Sequence, residues 1–192
     1  MDKLSMHRRV ALGLGASALL IATVAGPAFA ADVVTQEITA GGLTASVANV
    51  TLPSVGYRNT AHDVTGSMTL TADDKTDTAA GWNVTIQSSD FVWVGPVNGG
   101  IDIPASNLAL TSAAVPVRTA GQAVGVAAAT GPQVPPTAPT GTLESARKTI
   151  SATAAYGSGT YTQELGITLT IPAMSHVGTY TGTLTTTITS AP

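Results

Sequence analysis

The stretch Val64-Thr65-Gly66-Ser67-Met68-Thr69-Leu70 carries the reading of the fold. In an extended chain successive side chains point to opposite faces, so Val64, Gly66, Met68 and Leu70 share one side. Thr65, Ser67 and Thr69 share the other, and a strand half-buried on its apolar side results. The same period of two recurs along the chain. Trp82, Val84 and Ile86 alternate with Asn83, Thr85 and Gln87. Leu165, Ile167, Leu169 and Ile171 alternate with Gly166, Thr168 and Thr170. Near the end, Tyr180, Leu184 and Ile188 face one way, and Thr179, Thr181, Thr183, Thr185, Thr187 and Thr189 the other. Between Leu43 and Leu52 the apolar phase shifts by one residue near Ala48-Asn49, which predicts a β-bulge there. No window beyond the first 30 residues holds ten residues of helical periodicity. Seven or more strands without a helix predict an all-β fold, an antiparallel two-sheet β-sandwich of the Ig-like, Greek-key type.

The amino terminus reads as a cleaved signal peptide over residues 1–30. Arg8 and Arg9 close a positive region, residues 10–26 are apolar, and Ala28-Phe29-Ala30 is a small-x-small cleavage site. The remaining 31–192 is expected to form one domain. Its composition is unusual. Charged residues make up 10% of the chain, against roughly 25% in an average soluble protein. Beyond residue 30 there are 30 threonines but only five Lys and Arg against ten Asp and Glu, a net charge of −5. That balance, with no basic run, excludes a nucleic-acid surface, which needs clustered cations. No later segment reaches the ~18 consecutive apolar residues that span a bilayer. Cysteine is absent, so no disulfide framework, thiolate metal site or lipidated cysteine is expected. No sorting signal precedes Ala191-Pro192, and attachment to a cell is expected to be non-covalent.

Residues 113–147 break the alternation. They are rich in Ala, Gly, Thr and Pro, including Pro116, Pro132, Pro135, Pro136 and Pro139. Such a stretch buries little apolar surface and reads as a mobile surface loop within one domain.

Catalytic constellations are sparse. His62 and His176 lie more than a hundred positions apart, neither with a neighbour at ligand spacing, and read as loop histidines. Ser145-Ala146-Arg147-Lys148 matches S-x-x-K, but its companion elements and a helix to carry it are missing. Asp73-Asp74-Lys75-Thr76-Asp77 lacks calcium-loop spacing and reads as a solvated hairpin turn. The chain is therefore not expected to be an enzyme, and no cofactor or metal is implied. Trp82, on the apolar strand face, reads as a core plug. Trp93 lies near the rim of a loop made by Gly95-Pro96 and Asn98-Gly99-Gly100. As a packing residue it would cover the open end of the sandwich, the commoner role of an aromatic; it is also the candidate for stacking on a sugar ring, with Asp90 and Asn98 as neighbouring polar groups.

Trp82-Asn83-Val84-Thr85 followed by Ser89-Asp90-Phe91 resembles the first signature of the WxL surface-domain family. Ile171-Pro172-Ala173, Gly178-Thr179-Tyr180-Thr181-Gly182-Thr183-Leu184 and Thr187-Ile188-Thr189-Ser190-Ala191-Pro192 resemble its carboxy-terminal signature. Ile103-Pro104-Ala105-Ser106-Asn107-Leu108 is similar to the segment between the two. The likeness is to single-domain secreted members from high-GC Gram-positive bacteria. Val84 stands where the family has leucine, Thr186 at its second tryptophan position, and Ile188 at the second leucine position. The resemblance implies a secreted cell-surface protein attached non-covalently to peptidoglycan or another wall glycan, often beside companion surface proteins. Trp82, Val84, Tyr180, Leu184, Thr186 and Ile188 would be its motif residues, mainly structural. The alternative expectation is a self-assembling coat or fimbria-like subunit, because edge strands can pair by strand addition.

Overall fold

Alternation of this kind needs a second layer to cover the apolar faces, and the computed structural model supplies it. It describes residues 35–96, 99–124, 131–137 and 139–190. The expected signal peptide lies outside the described residues. From Ile38 onward the chain forms one unit, in which every strand pairing is antiparallel.

The larger sheet contains β1 (Leu43–Val47), β2 (His62–Asp74), β5 (Leu108–Ala113), β6 (Val117–Gly121), β7 (Gly141–Thr142) and β9 (Gly159–Ile171). Its order is β1-β2-β9-β5-β7, with β6 taking the stretch of β9 beyond β5. The smaller sheet is β11 (Leu184–Ser190), β3 (Trp82–Ser88) and β8 (Arg147–Ala152), with β3 central. A short ribbon pairs β4 (Val92–Val94) with β10 (Thr179–Thr181). One 3-10 turn, Ala105–Asn107, precedes β5, and no α-helix occurs among the described residues.

The core lies between the two sheets. Met68, Leu70 and Ala72 of β2 and Leu165, Ile167 and Leu169 of β9 face Val84 and Ile86 of β3 and Ile150 of β8. Trp82 is wholly buried. Its indole Nε1 donates to the Gly157 carbonyl at 3.0 Å, and its ring lies 6.1 Å from that of Tyr161 on the opposite sheet. The alternation read from 64–70 holds and continues to Asp74, because apolar burial and strand period agree throughout β2.

Four expectations are corrected. The bulge near Ala48-Asn49 is absent: β1 ends at Val47, and Val50 and Leu52 reach the core from non-strand chain. Leu52 sits over Gly66, where an added Cβ would approach Leu52 Cδ2 to 2.6 Å, so the glycine on the core face leaves room for a side chain arriving from outside the sheet. The terminal threonine-rich stretch is two strands, since Gly182-Thr183 carries the chain from the ribbon into the smaller sheet. Residues 73–77 do not form a hairpin but a crossover between sheets. There the Asp74 carboxylate accepts the Thr76 amide at 3.0 Å and its hydroxyl at 2.7 Å. Asp73 binds Lys75 at 2.6 Å. Burial alone would raise the Asp73 carboxyl, but hydrogen bonds from Lys75 and Thr160 outweigh it and hold the group below its usual range.

The fourth correction concerns 113–147, which is partly woven into the fold. β6 pairs with β9, Gln133 bridges Ser151, and Leu143 is fully buried in the core. Main-chain pairing stabilises this segment where its side chains offer little apolar area. Residues 125–130 and 138 of it are outside the described set.

Bulges do occur elsewhere, and each inserts a threonine. The registers skip Thr111 in β5, Thr119 in β6 and Thr149 in β8. Thr111 and Thr119 are exposed, whereas Thr149 is fully buried and its Oγ1 has no partner. A buried hydroxyl without a hydrogen bond is unfavourable, so Thr149→Val is expected to stabilise the fold by about 1 kcal/mol. The check is the midpoint of urea unfolding at constant m. A destabilised variant would instead place a bound water between Thr149 and the Gln163 Oε1, which is also buried without a partner.

Candidate functional site

Pro172 ends β9 by removing a ladder donor, and the chain turns at once. Ser175 Oγ donates to the Pro172 carbonyl at 2.8 Å, closing the turn. The Met174 amide donates to the Arg58 carbonyl at 2.9 Å, tying that turn to the non-strand segment 50–58. Between these two segments and the ribbon β4–β10 opens a cleft of about 790 Å³. It is lined among others by Tyr57, Arg58, His62, Phe91, Ile171, His176 and Tyr180. A second cavity of about 400 Å³ adjoins it, sharing Val50, Leu52, Phe91, Thr181 and Gly182.

Tyr180 faces the cleft, and its hydroxyl donates to the His176 carbonyl at 3.0 Å. Burial pushes the Tyr180 phenol above the usual tyrosine value. Across the ribbon Tyr180 pairs with Trp93. The Trp93 indole is half-buried and lies against the backbone of Gly95, Gly100 and Gly178. A Cβ at Gly178 would fall 2.5 Å from its Nε1. The ring meets His176 edge-on with centroids 6.1 Å apart. Its Nε1 is buried and unpartnered. Glycine backbone thus occupies much of the surface that stacking on a sugar would use.

The other residues singled out in the sequence are dispersed. The Asp90 carboxylate accepts the Ala105 amide at 2.7 Å, capping the 3-10 turn, which is a structural task. Asn98 lies outside the described residues. Asp102, not singled out, accepts the Trp93 amide at 2.8 Å. Trp82 and Val84 are core residues of β3. Leu184, Thr186 and Ile188 pair with Ser88, Ile86 and Val84 and are half-buried on the same face of β11. Trp82 neighbours Tyr161, whereas Ile171 lines the cleft. Ten residues of β9, roughly 33 Å, separate those positions, so Trp82 and the cleft sit at opposite ends of the sandwich, while Phe91 of the same signature lines the cleft.

Two residues read as isolated are brought together: His62 at the start of β2 and His176 before β10 both line the cleft. No local pattern announced this, because their meeting depends on β2 pairing with β9 along its full length. Both imidazole nitrogens of His62 are buried and without a partner. Ser145 lies in a turn and Lys148 is exposed on β8, and no hydrogen bond joins them among the described residues. Among those residues no three His, Asp or Glu side chains gather as metal ligands, and no helix is long and apolar enough to cross a membrane.

No family model, curated protein or solved structure matches this chain.

The surface around the cleft is the distinctive part of the molecule. Val55, Tyr57, Val92, Val94, Ile101, Met174 and Val177 are seven of the eleven exposed large hydrophobic side chains among the described residues. Of these, Val55, Tyr57 and Val177 line the cleft. Met174 lies on the turn after β9, Ile101 in the loop after β4, and Val92 and Val94 on the ribbon face opposite Trp93 and Tyr180. Exposed apolar groups beside a concave surface mark an interaction or ligand site.

Proposed function

We propose that this chain is a secreted cell-surface protein that associates non-covalently with the cell wall, through peptidoglycan or another wall glycan, or with companion surface proteins. The observation that carries the reading is one open cleft at one end of a β-sandwich, whose lining includes the exposed apolar side chains Val55, Tyr57 and Val177. The signal-like amino terminus and the low charge of the remaining chain support it. A surface of hydroxyls and methyls suits packing against glycans or proteins, and the role is binding rather than catalysis. Pull-down of the purified protein on cell-wall sacculi tests it, with retention expected at both low and high salt. Tyr57 is 59% exposed on the cleft rim, so Tyr57→Ala is expected to lower retention several-fold while changing stability by less than about 0.5 kcal/mol. Protein that stays wholly in the supernatant refutes the reading.

A second reading, a self-assembling coat or fimbria-like subunit, is favoured by β11. This seven-residue strand carries no charge and no proline, and among the described residues β3 is its one hydrogen-bonded neighbour, with β1 close to it but not paired. Such an edge lacks charge and proline as protections against strand addition. Light scattering at rising concentration decides this point, and a strict monomer rules assembly out.

A further inference from the structure

Resting on the wall-binding reading and deepening it, we propose that the cleft between segment 50–58 and the β4–β10 ribbon receives a carboxylate-bearing sugar. Its volume of about 790 Å³ falls in the range that holds small ligands. The charge around it is selective. The chain is acidic overall, with a formal net charge of −3, yet among the described residues no Asp or Glu lines the cleft and Arg58 does. Asp102, whose charge reaches Tyr180, lies outside the lining. Among the described residues the Arg58 guanidinium makes neither an ion pair nor a hydrogen bond. A planar guanidinium matches a carboxylate with two parallel N–H donors, so an unengaged arginine in a cleft free of acids points to an anionic ligand group.

The remaining lining fits a sugar ring. Tyr57 offers an exposed aromatic surface against which the C–H face of a sugar packs. The walls also hold polar groups that lack partners, both His62 nitrogens. Trp93, whose Nε1 is likewise unpartnered, is not in the lining but adjoins its residues Tyr180, His176 and Gly178. Unsatisfied buried polar groups are rare and need an explanation. Sugar hydroxyls both donate and accept, so they complement either imidazole tautomer and an indole N–H alike. Segment 50–58 forms one wall of the cleft and is anchored where Val50 and Leu52 pack against the core. Among the described residues its one main-chain hydrogen bond to another segment runs from the Met174 amide to the Arg58 carbonyl.

The chain has two tryptophans, so two indole N–H resonances report on the two ends of the sandwich. Titration with N-acetylmuramic acid is expected to shift the Trp93 indole signal and the imidazole signals of His62 and His176. The Trp82 signal, from the buried opposite end, is expected to stay. N-acetylglucosamine, which lacks the lactyl carboxylate, is expected to bind at least threefold more weakly. Arg58→Gln is expected to abolish that difference. Equal response to both sugars overturns the carboxylate role. No response to either, or response only to a peptide ending in D-Ala-D-Ala, overturns the sugar assignment. Sacculus retention of the unmodified protein separates the two levels: retention without any sugar response leaves wall binding intact and removes this site. Muramic acid binding without retention keeps the site and removes the wall as its location.

Discussion

Trp82→Ala is expected to lower the stability of the fold by about 3–5 kcal/mol, the range for deleting a large buried aromatic. The loss has four sources. The side chain is fully buried, its removal opens a cavity beside Tyr161, and the ring pair at 6.1 Å disappears. The Gly157 carbonyl also loses the indole donor now 3.0 Å away. Small domains typically hold only about 5–15 kcal/mol in total, so the variant should unfold far earlier in urea or fail to accumulate. Equilibrium unfolding followed by far-UV circular dichroism provides the measurement. A loss under about 1 kcal/mol at unchanged m would mean that Trp82 is not part of the core.

Gly157→Ala attacks the same corner from the other side. Gly157 has φ of +91°, a region that L side chains enter at a cost of roughly 1–2 kcal/mol. An added Cβ would stand 2.5 Å from the Ala152 Cβ and 2.7 Å from the Trp82 Nε1. Neither neighbour can withdraw freely, since Ala152 is on β8 and the indole is fixed in the core. Backbone strain and forced repacking together are expected to cost about 2–4 kcal/mol. Because the two residues touch, their effects should not add. In the Trp82→Ala background the indole clash vanishes while the φ strain and the Ala152 contact remain. The double variant should therefore be more stable than the sum of the single losses implies. Strict additivity would show that Gly157 and Trp82 do not share this corner.

The unequal legibility of the chain follows from how far each feature depends on distant residues. The faces of β2, β3 and β9 were readable because side-chain direction in a strand is set by adjacent peptide units, and burial then follows the same period. Trp82 as a core residue was readable for that reason. The Ala48-Asn49 region misled because a phase shift in sequence has two physical outcomes. A bulge keeps the chain in the sheet, whereas here the chain leaves it and Leu52 fills the space above Gly66. The threonines skipped at 111, 119 and 149 were invisible because a bulge is defined by the partner's register. Segment 113–147 was underestimated because main-chain pairing to β9 and Ser151 does not depend on apolar side chains.

The candidate site shows the same division. Trp93 and Tyr180 were legible singly, as an aromatic near a glycine-rich loop and an aromatic on a strand face. That they are cross-strand partners was not. Neither was the glycine backbone packed against Trp93, nor the cleft shared by Arg58, His62 and His176.

By itself the sequence determined an all-β chain, the inward faces of its long strands, the buried place of Trp82 and a surface in which threonine stands for charge. These are local properties, fixed by strand period and side-chain chemistry. Only the tertiary structure decided which strands pair, where the chain crosses between sheets, and that two histidines and an arginine line one cleft. Those depend on antiparallel contacts such as His62 with Ile171, formed across more than a hundred residues, for which no short window of sequence carries a signal.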